Sequence, residues 1–433
     1  MPEIAINISQ SRTLAVLDRT AFGAVLVLPL LLLHAHGIAE GAITLADVCL
    51  LARSAITRDW VWARTPWLLI GWAWWAWLVF CSLPIPALHL GQGGTRSLVQ
   101  AIVFVRFFIF VAALEHTVLR APEARRWLYW LIAASAAYIA IQVIFQFFTG
   151  FGFYGDTIAD EGVLTGPFRG PRAGPPFVRI LFPAIIPWAA ALLTRPGIGP
   201  LTGAWVLLIG GVAVALLIGQ RMPFLLTLLG LAVIGLLLPR LRWGVLAAGM
   251  AVAILLVASP VVAPSAHYRL VAKFSAQMEH FAVSPYGELY TRAFEIAVQN
   301  PITGLGAEGM RTGCANPRYF RPSFDGSLPD GGGAAFCWVH PHNYYLEALV
   351  NGGFPGLILF CGEAVAWLAA LGRGLWRHPE PLRVALFAAA LMQLWPIASS
   401  TGFTSMPVGG WSFLLLGWGL AEARWLNRES DPI

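Results

Sequence analysis

The chain has 433 residues, of which 58% are hydrophobic and 12% charged, and its mean hydropathy is +0.70. Soluble domains carry roughly 25% charged residues. So few charges exclude a soluble globule, a disordered chain and a small disulfide-framework protein. Most of the surface must face lipid, and we therefore expect an all-α, polytopic integral membrane protein.

The formal net charge is +6, and Lys273 is the one lysine among 28 basic residues. The arginines are spread along predicted loops and are not gathered into a patch interleaved with aromatic residues, so we expect no nucleic-acid partner. The simpler interpretation is that these residues hold cytoplasmic loops on the inner side of a membrane.

A membrane-spanning helix needs about 20 mostly apolar residues, and twelve stretches of the sequence approach this requirement. They lie near residues 20–36, 39–57, 66–86, 97–119, 127–149, 177–194, 200–218, 222–240, 243–264, 343–371, 381–400 and 408–426. The second stretch is the weakest, because Glu40, Asp47 and Arg53 interrupt it.

The arginine distribution predicts the orientation of these spans. With the N-terminus in the cytoplasm, the predicted cytoplasmic segments hold sixteen arginines. The short external loops and adjoining helix ends hold five, namely Arg96, Arg169, Arg172, Arg179 and Arg221. This asymmetry indicates an even number of spans with both termini cytoplasmic, and the first span is interpreted as a signal anchor.

Two connections on the predicted outer face are too long to be simple turns. The first nine predicted helices lie in residues 1–264, and residues 150–176 form a Gly/Pro-rich loop between two of them. Residues 265–342 form one long external loop, and the last three helices follow in residues 343–433. Loops longer than about 12–15 residues are usually functional or disordered, so the outer face is the expected place of the site.

The cysteines fit this arrangement. Three of the five lie in predicted spans, whereas Cys314 and Cys337 lie together in the long loop. An outward-facing loop in a bacterial envelope is in an oxidising compartment, so a Cys314–Cys337 disulfide is expected, with two free thiols as the alternative.

The long loop contains one clear helix, SPYGELYTRAFEIAVQNP, with Ser284 as its N-cap and Asn300-Pro301 at its end. Arg292 falls on its apolar face at helical spacing. An arginine in that position needs an anionic ligand or an acidic partner, and Glu288 and Glu295 offer a local ion pair as the alternative.

A cluster of polar and aromatic residues stands where the long loop meets the tenth predicted span. His340 and His342 precede Asn343, which is predicted to be the N-cap of that helix. A neutral imidazole is a common general base near pH 7, and two histidines without a carboxylate cluster are a weak metal site. Trp338 is a candidate for stacking on a sugar, and Asn343 and Tyr344 are weaker candidates for contacting one.

Arginines gather at the same predicted face. Arg221 lies in GQRMPFL at the outer end of the seventh span, and Arg169, Arg172 and Arg179 flank the shorter outer loop. Guanidinium groups bind phosphate oxygens in a bidentate manner and keep their charge. Their convergence near a histidine would suit a substrate with a diphosphate, and snorkelling to lipid headgroups is the alternative.

Three segments in this order, GQRMPFL, LYTRAFEIAVQNPITGLGAEGMR and HPHNYYLEALVNGGFPGLILF, resemble the bacterial O-antigen ligase family. In that family an intramembrane arginine, a loop segment of the form R…A…NP…G.G and an HN…L…G…G helix entrance follow one another. The resemblance covers roughly residues 200–370. It implies a GT-C-like membrane protein of about 12 helices with one long periplasmic loop that contains short helices.

The resemblance also implies an activity. The protein would transfer a finished O-polysaccharide from undecaprenyl diphosphate to the outer core sugar of lipid A-core, on the periplasmic face of the bacterial inner membrane. By this resemblance Arg221 and Arg292 would bind the diphosphate, and the histidine of the HPHN motif would be the base, with His342 preferred to His340. Membrane lipids are expected as further partners. No DxD-type acidic pair stands out on the outer face, so we expect transfer without a metal or other cofactor. Direct displacement would invert the anomeric centre.

Other functions remain open at this point. An O-antigen polymerase would use a similar donor, and a protein O-oligosaccharyltransferase of the same superfamily would use a protein acceptor. A transporter or lipid flippase is less favoured, because neither internal repeats nor interrupted helices are evident. Arg106, inside the fourth span, is the main feature in favour of transport, and pairing with Asp47 or another buried acid explains it equally well.

Overall fold

The computed structural model describes residues 8–320, 337–398 and 402–430, and within these ranges the chain forms helices and no strands. Residues 321–336 of the predicted long loop and residues 399–400 of the eleventh predicted span lie outside this description. The α-helices are α1 (Ile8–His34), α2 (His36–Thr57), α3 (Pro66–Cys81), α4 (Gly94–Val103), α5 (Val105–Ala113), α6 (Pro122–Thr149), α7 (Gly174–Leu193), α8 (Ile198–Leu217), α9 (Arg221–Leu237), α10 (Arg242–Val262), α11 (Pro264–His267), α12 (Lys273–Glu279), α13 (Pro285–Gln299), α14 (Gly309–Gly313), α15 (Tyr344–Gly372), α16 (Pro381–Gln393) and α17 (Met406–Ser430).

Each of the twelve predicted spans coincides with a helix or, for the fourth, with a helical run that includes α4 and α5. Seven helical segments of the described chain are long and apolar enough to cross a membrane: Gln10–His34, Gly94–Val118, Pro122–Thr149, Gly174–Leu193, Ile198–Leu217, Pro239–Val262 and Tyr344–Gly372. Three further apolar helices, α3, α9 and α16, have 10–17 residues. The all-helical prediction is confirmed, and the count of twelve stays a prediction.

The bundle packs around α7, which contacts α6, α8, α9, α16 and α17. A core of aromatic rings joins α5, α15 and α17. Phe107 and Phe413 stack with their ring centroids 4.5 Å apart, and Phe403 lies 4.9 Å from Phe413. Aromatic pairs of this kind add stability beyond the area they bury, so they fix the last helix against the middle of the bundle.

The two ends of the bundle differ in character. At one end, named here the loop end, residues 150–173 and 263–320 meet, and Arg269 donates to Glu161 Oε2 at 2.9 Å. At the opposite end buried ion pairs tie the helices together. Arg125 lies 3.2 Å from Glu422, and Arg424 lies 2.8 Å from Glu115. The loop end therefore holds the irregular, functionally promising part of the fold.

Arg106 has an acidic neighbour on α2. Its guanidinium lies 3.6 Å from the Glu40 carboxylate and 4.9 Å from the centre of the Phe107 ring. Asp47, the acid considered from the sequence, also interacts with it electrostatically. Arg106 therefore has an ion-pair partner within the protein, although its buried Nε makes no hydrogen bond.

Helix α15 is interrupted near the loop end, contrary to the expectation that no helix is broken. Gly353 has φ 64° and ψ −164°, which breaks the regular helical hydrogen-bond pattern there. The carbonyls of Val350 and Asn351 instead accept hydrogen bonds from the amides of Leu305 and Gly306, at 2.9 and 3.0 Å. The long loop thus satisfies backbone groups that the break in the helix exposes.

Only glycine fits at the break. Its φ lies in the left-handed region, and a Cβ atom there would overlap the carbonyl oxygens of Pro301 and Ile302. The Phe354 amide donates to the Pro301 carbonyl at 2.8 Å, which holds the two segments in this close contact. The NP…G.G and NGGFPG motifs are therefore the two sides of one backbone junction.

We predict that Gly353→Ala destabilises the protein by more than the roughly 1–2 kcal/mol that a left-handed conformation costs an L-residue, since a steric overlap is added. Thermal unfolding of the purified protein in detergent measures the loss. Gly249→Ala is the matched control, because no atom lies within 4 Å of a Cβ at that helical position. Equal melting temperatures for the two variants would contradict the junction.

Candidate functional site

Helix α13 lies at the loop end and forms as the sequence predicts. Ser284 is its N-cap, with Oγ accepting from the Gly287 amide at 3.2 Å, and the helix ends at Gln299 before Asn300. Its apolar face, which includes Leu289 and Ile296, packs on the junction region of the loop in a small separate core. This packing fixes the orientation of α13 and of the side chains on its buried face.

Arg292 lies on that buried face and is 4% exposed. Its guanidinium donates to the Cys314 carbonyl and stacks 4.0 Å from the centre of the Phe320 ring. Glu288 interacts with Arg292 electrostatically, as expected for the local ion pair considered from the sequence. Burial lowers the pKa of Arg292. In this structure Arg292 is therefore held by partners within the long loop.

Cys314 and Cys337 are joined by a disulfide in the structure, with their Cα atoms 5.5 Å apart. The bond ties the end of α14 to the segment that precedes the two histidines. It thus connects α13 and its junction to the entrance of α15 by a second, covalent route.

His342 lies at that entrance, directly before the N-cap. Asn343 Oδ1 accepts from the amides of Tyr345 and Leu346 at 2.9 and 3.1 Å, and its amide nitrogen donates to the Pro396 carbonyl at 2.7 Å. The predicted N-cap is confirmed. His342 itself has a φ of 53°, a left-handed conformation that is uncommon for a residue other than glycine.

Two aromatic rings flank His342. The Tyr286 ring lies 5.9 Å away and the Trp338 ring 6.0 Å away, both edge-on. Trp338 is 58% exposed, so one face of this small aromatic cluster is open to a ligand. Burial lowers the pKa of His342 below its usual value near 6.5, the neighbouring His340 lowers it further, and Glu347 opposes the shift. The imidazole is therefore neutral at pH 7 and able to accept a proton.

His340 has a different environment. Its Nδ1 lies 3.8 Å from Glu347 Oε1, and Glu347 Oε2 accepts from the Phe403 amide at 2.9 Å. The carboxylate of Glu347 thus faces His340 from the first turn of α15 while it holds the start of the last helical segment. His340 therefore lies beside a carboxylate, whereas His342 lies between two aromatic rings.

Arg221 begins α9 and points into the long loop. Its Nε donates to the Arg269 carbonyl at 2.8 Å, and a terminal nitrogen donates to Gln277. Arg221 and His342 therefore lie at the same end of the bundle, and each has its own partners in the long loop.

The other predicted arginines occupy two different environments. Arg179 is buried in α7, where it donates to the carbonyl of Pro175 at 2.7 Å, to Gln393 at 3.3 Å and to the Tyr344 hydroxyl at 3.4 Å. Arg169 and Arg172 are exposed on the shorter loop. Arg179 therefore supports the start of α15 through Tyr344. The two loop arginines are exposed.

Sequence reasoning missed Tyr286 and Glu347. They lie in the first turns of α13 and α15, where the sequence pattern indicates only the start of a helix. Their roles depend on partners that are distant in the chain. Within the described ranges no group of three or more His, Cys, Asp or Glu side chains is arranged to hold a metal ion.

We predict that the non-reduced protein yields a cross-linked peptide pair containing Cys314 and Cys337, and that only reduction makes these two thiols available to alkylation. Cys314→Ser should lower the free energy of unfolding by about 3 kcal/mol, because it opens a closed loop of this length. Mass spectrometry and denaturation in detergent measure the two effects. Cys361→Ser, at a free cysteine, is the control, and an equal effect of both substitutions would contradict the pairing.

The O-antigen ligase family model matches residues 205–361. The match begins within α8 and ends within α15, so it includes Arg221, Arg292 and both histidines of the HPHN motif. A comparison with curated proteins finds no match to the chain. Residues 205–361 of this helical membrane protein are therefore similar to the O-antigen ligase family, in the part of the chain that holds the three sequence motifs.

Proposed function

We propose that the protein is an O-antigen ligase, which transfers an O-polysaccharide from undecaprenyl diphosphate to the outer core sugar of lipid A-core. The observation that carries this proposal is the position of His342. Its neutral imidazole lies between Tyr286 and the exposed Trp338 at the loop end, where Arg221 begins α9 and donates to the long loop. A base, a sugar-stacking ring and a cation are what this transfer needs.

The reaction breaks one bond and forms one. The hydroxyl oxygen of the acceptor sugar attacks C1 of the donor's reducing-end sugar, and the bond from C1 to the diphosphate oxygen breaks. His342 takes the hydroxyl proton, and undecaprenyl diphosphate leaves with the bonding electron pair. Direct displacement of this kind inverts the configuration at C1.

The leaving group needs positive charge nearby, because its negative charge grows in the transition state. Arg221 is proposed for this role, because it begins α9 at the loop end and its guanidinium reaches into the long loop. Arg292 is proposed as a second diphosphate residue, which would exchange its Cys314 and Phe320 contacts for the substrate. Arg169 and Arg172 are exposed enough to meet the incoming donor, and Arg179 steadies Tyr344. Fixed guanidinium charges make a metal ion unnecessary in this mechanism.

The proposed location is the bacterial inner membrane, with both termini in the cytoplasm and the loop end in the periplasm. The donor's polyprenyl chain would lie along the apolar helices, and lipid A-core would approach from the outer leaflet. In this arrangement Trp338 stacks on a sugar, and Asn343 and Tyr344 hold the helix entrance beneath it.

The interrupted helix α15 favours transport as a second candidate function, because broken helices are common in transporters. The freed carbonyls of Val350 and Asn351 are, however, hydrogen-bonded to the long loop. They are therefore occupied by the protein's own amides. An O-antigen polymerase and a protein O-oligosaccharyltransferase would share the donor chemistry and differ in the acceptor.

We predict that the protein restores the O-antigen ladder of lipopolysaccharide in a ligase-deficient host with a compatible core, and that His342→Ala lowers ligation about 100-fold or more, as expected for loss of a general base. Gel banding with expression checked measures both. His280→Ala, an exposed histidine in the same loop, is the control and should behave as wild type. Bare lipid A-core in the wild-type strain would overturn the ligase proposal. Full ligation by His342→Ala would move the base to His340.

The pH dependence offers a second test. His342 works when neutral, and its pKa is lowered, so activity is lost only as the pH falls through a midpoint below 6.5. We predict that the acid side of the pH–rate profile of the purified enzyme has its midpoint below 6.5 and that His340→Ala retains this limb. A midpoint at or above 6.5 would contradict His342 as the base.

A further inference from the structure

Three cations lie close together at the loop end, on three different elements of the chain. Arg221 begins α9, Arg269 lies on the turn after α11, and Lys273 begins α12. Lys273 is the only lysine in the sequence. These three residues are named here the basic cluster.

One carboxylate, that of Glu161 on the shorter loop, bridges the cluster. Arg269 donates to Glu161 Oε2 at 2.9 Å, and Lys273 donates to Oε1. Arg221 interacts electrostatically with the same carboxylate, and its Nε donates to the Arg269 carbonyl. The Glu161 carboxylate therefore uses one oxygen for Arg269 and the other for Lys273.

The backbone around Glu161 is held in an unusual position. Glu161 has a φ of 58°, in the left-handed region, and the next residue, Gly162, has a φ of 78°. The side chain of Ser265 packs so closely on Gly162 that a Cβ there would overlap it. The shorter loop thus carries Glu161 into the basic cluster at the cost of local backbone strain.

The basic cluster carries three positive charges against the single carboxylate of Glu161. The other polar side chains that act on Arg221 are the neutral Gln277, Tyr268 and Tyr286. The side chains of Arg269, Lys273 and Glu161 are 22%, 30% and 34% exposed, so an anion from outside can reach them. A diphosphate carries more charge and more acceptor oxygens than a carboxylate, so it would compete for these donors.

We propose that Glu161 occupies the place of a donor phosphate, and that a polyprenyl diphosphate displaces its carboxylate from Arg269 and Lys273 when it binds. The inference rests on the proposed function, because it concerns the same donor. It assigns Arg269 and Lys273 to the diphosphate subsite beside Arg221, and it makes Glu161 an internal competitor that joins the two outer loops while the subsite is empty.

The two partners of one ion pair should then have opposite effects on binding. Lys273→Gln removes a donor to the phosphate and should weaken binding of undecaprenyl diphosphate to the full-length protein in nanodiscs by about tenfold or more. Glu161→Gln removes the competitor and should tighten binding by about threefold or more. Lys273→Arg should restore most of the affinity. The corresponding monophosphate lipid should respond less to each substitution.

A purely structural ion pair predicts another pattern. Breaking it from either side would loosen the same loop contact, so Glu161→Gln and Lys273→Gln would lower affinity together, and that result overturns the inference. No effect of either substitution overturns it as well. Glu123→Gln, which removes an exposed carboxylate at the opposite end, is the control and should leave affinity unchanged. Melting temperatures of all variants identify a change caused by misfolding.

The binding measurement contains no acceptor, so its outcome is independent of ligation. Opposite effects on binding in a protein that does not ligate would support the subsite and move the function towards a polymerase with the same donor. Parallel effects in a protein that does ligate would remove the role of Glu161 and leave the proposed function standing.

Discussion

Backbone groups inside a membrane protein must find hydrogen-bond partners within the protein, because lipid offers none. This constraint determines how the long loop packs on the helices at the loop end. The break at Gly353 frees the carbonyls of Val350 and Asn351, and residues 305–306 of the long loop supply the amides that satisfy them. The loop is therefore built into the helix bundle.

That junction explains why the candidate site is confined to one place. It fixes the start of α15 and, through the small core around Leu289, the orientation of α13. The two helices then hold His342 and Tyr286 against each other, and the Cys314–Cys337 disulfide closes the same region covalently. Arg221 reaches the same end of the bundle from α9, where it donates to the Arg269 carbonyl of the long loop.

Local patterns in the sequence predict a large part of this fold. Apolar length predicted where the helices lie, and capping chemistry predicted the start of α13 at Ser284 and of α15 at Asn343, because both depend on neighbours within a few residues. The break at Gly353 escaped prediction, since its left-handed conformation is stable only against carbonyls some 50 residues earlier in the chain. Tyr286 and Glu161 escaped for the same reason, because each acquires its role from contacts that only the tertiary structure creates.

The central claim is that the loop end joins a lipid-linked polysaccharide to lipid A-core. Its most direct test is a reaction of the purified protein with undecaprenyl-diphosphate-linked O-polysaccharide and lipid A-core in the presence of EDTA, followed by mass spectrometry of the products. The account predicts lipopolysaccharide with an inverted linkage and one undecaprenyl diphosphate released for each chain transferred. Growth of the lipid-linked chain without consumption of lipid A-core, or a strict requirement for a divalent metal, would contradict it.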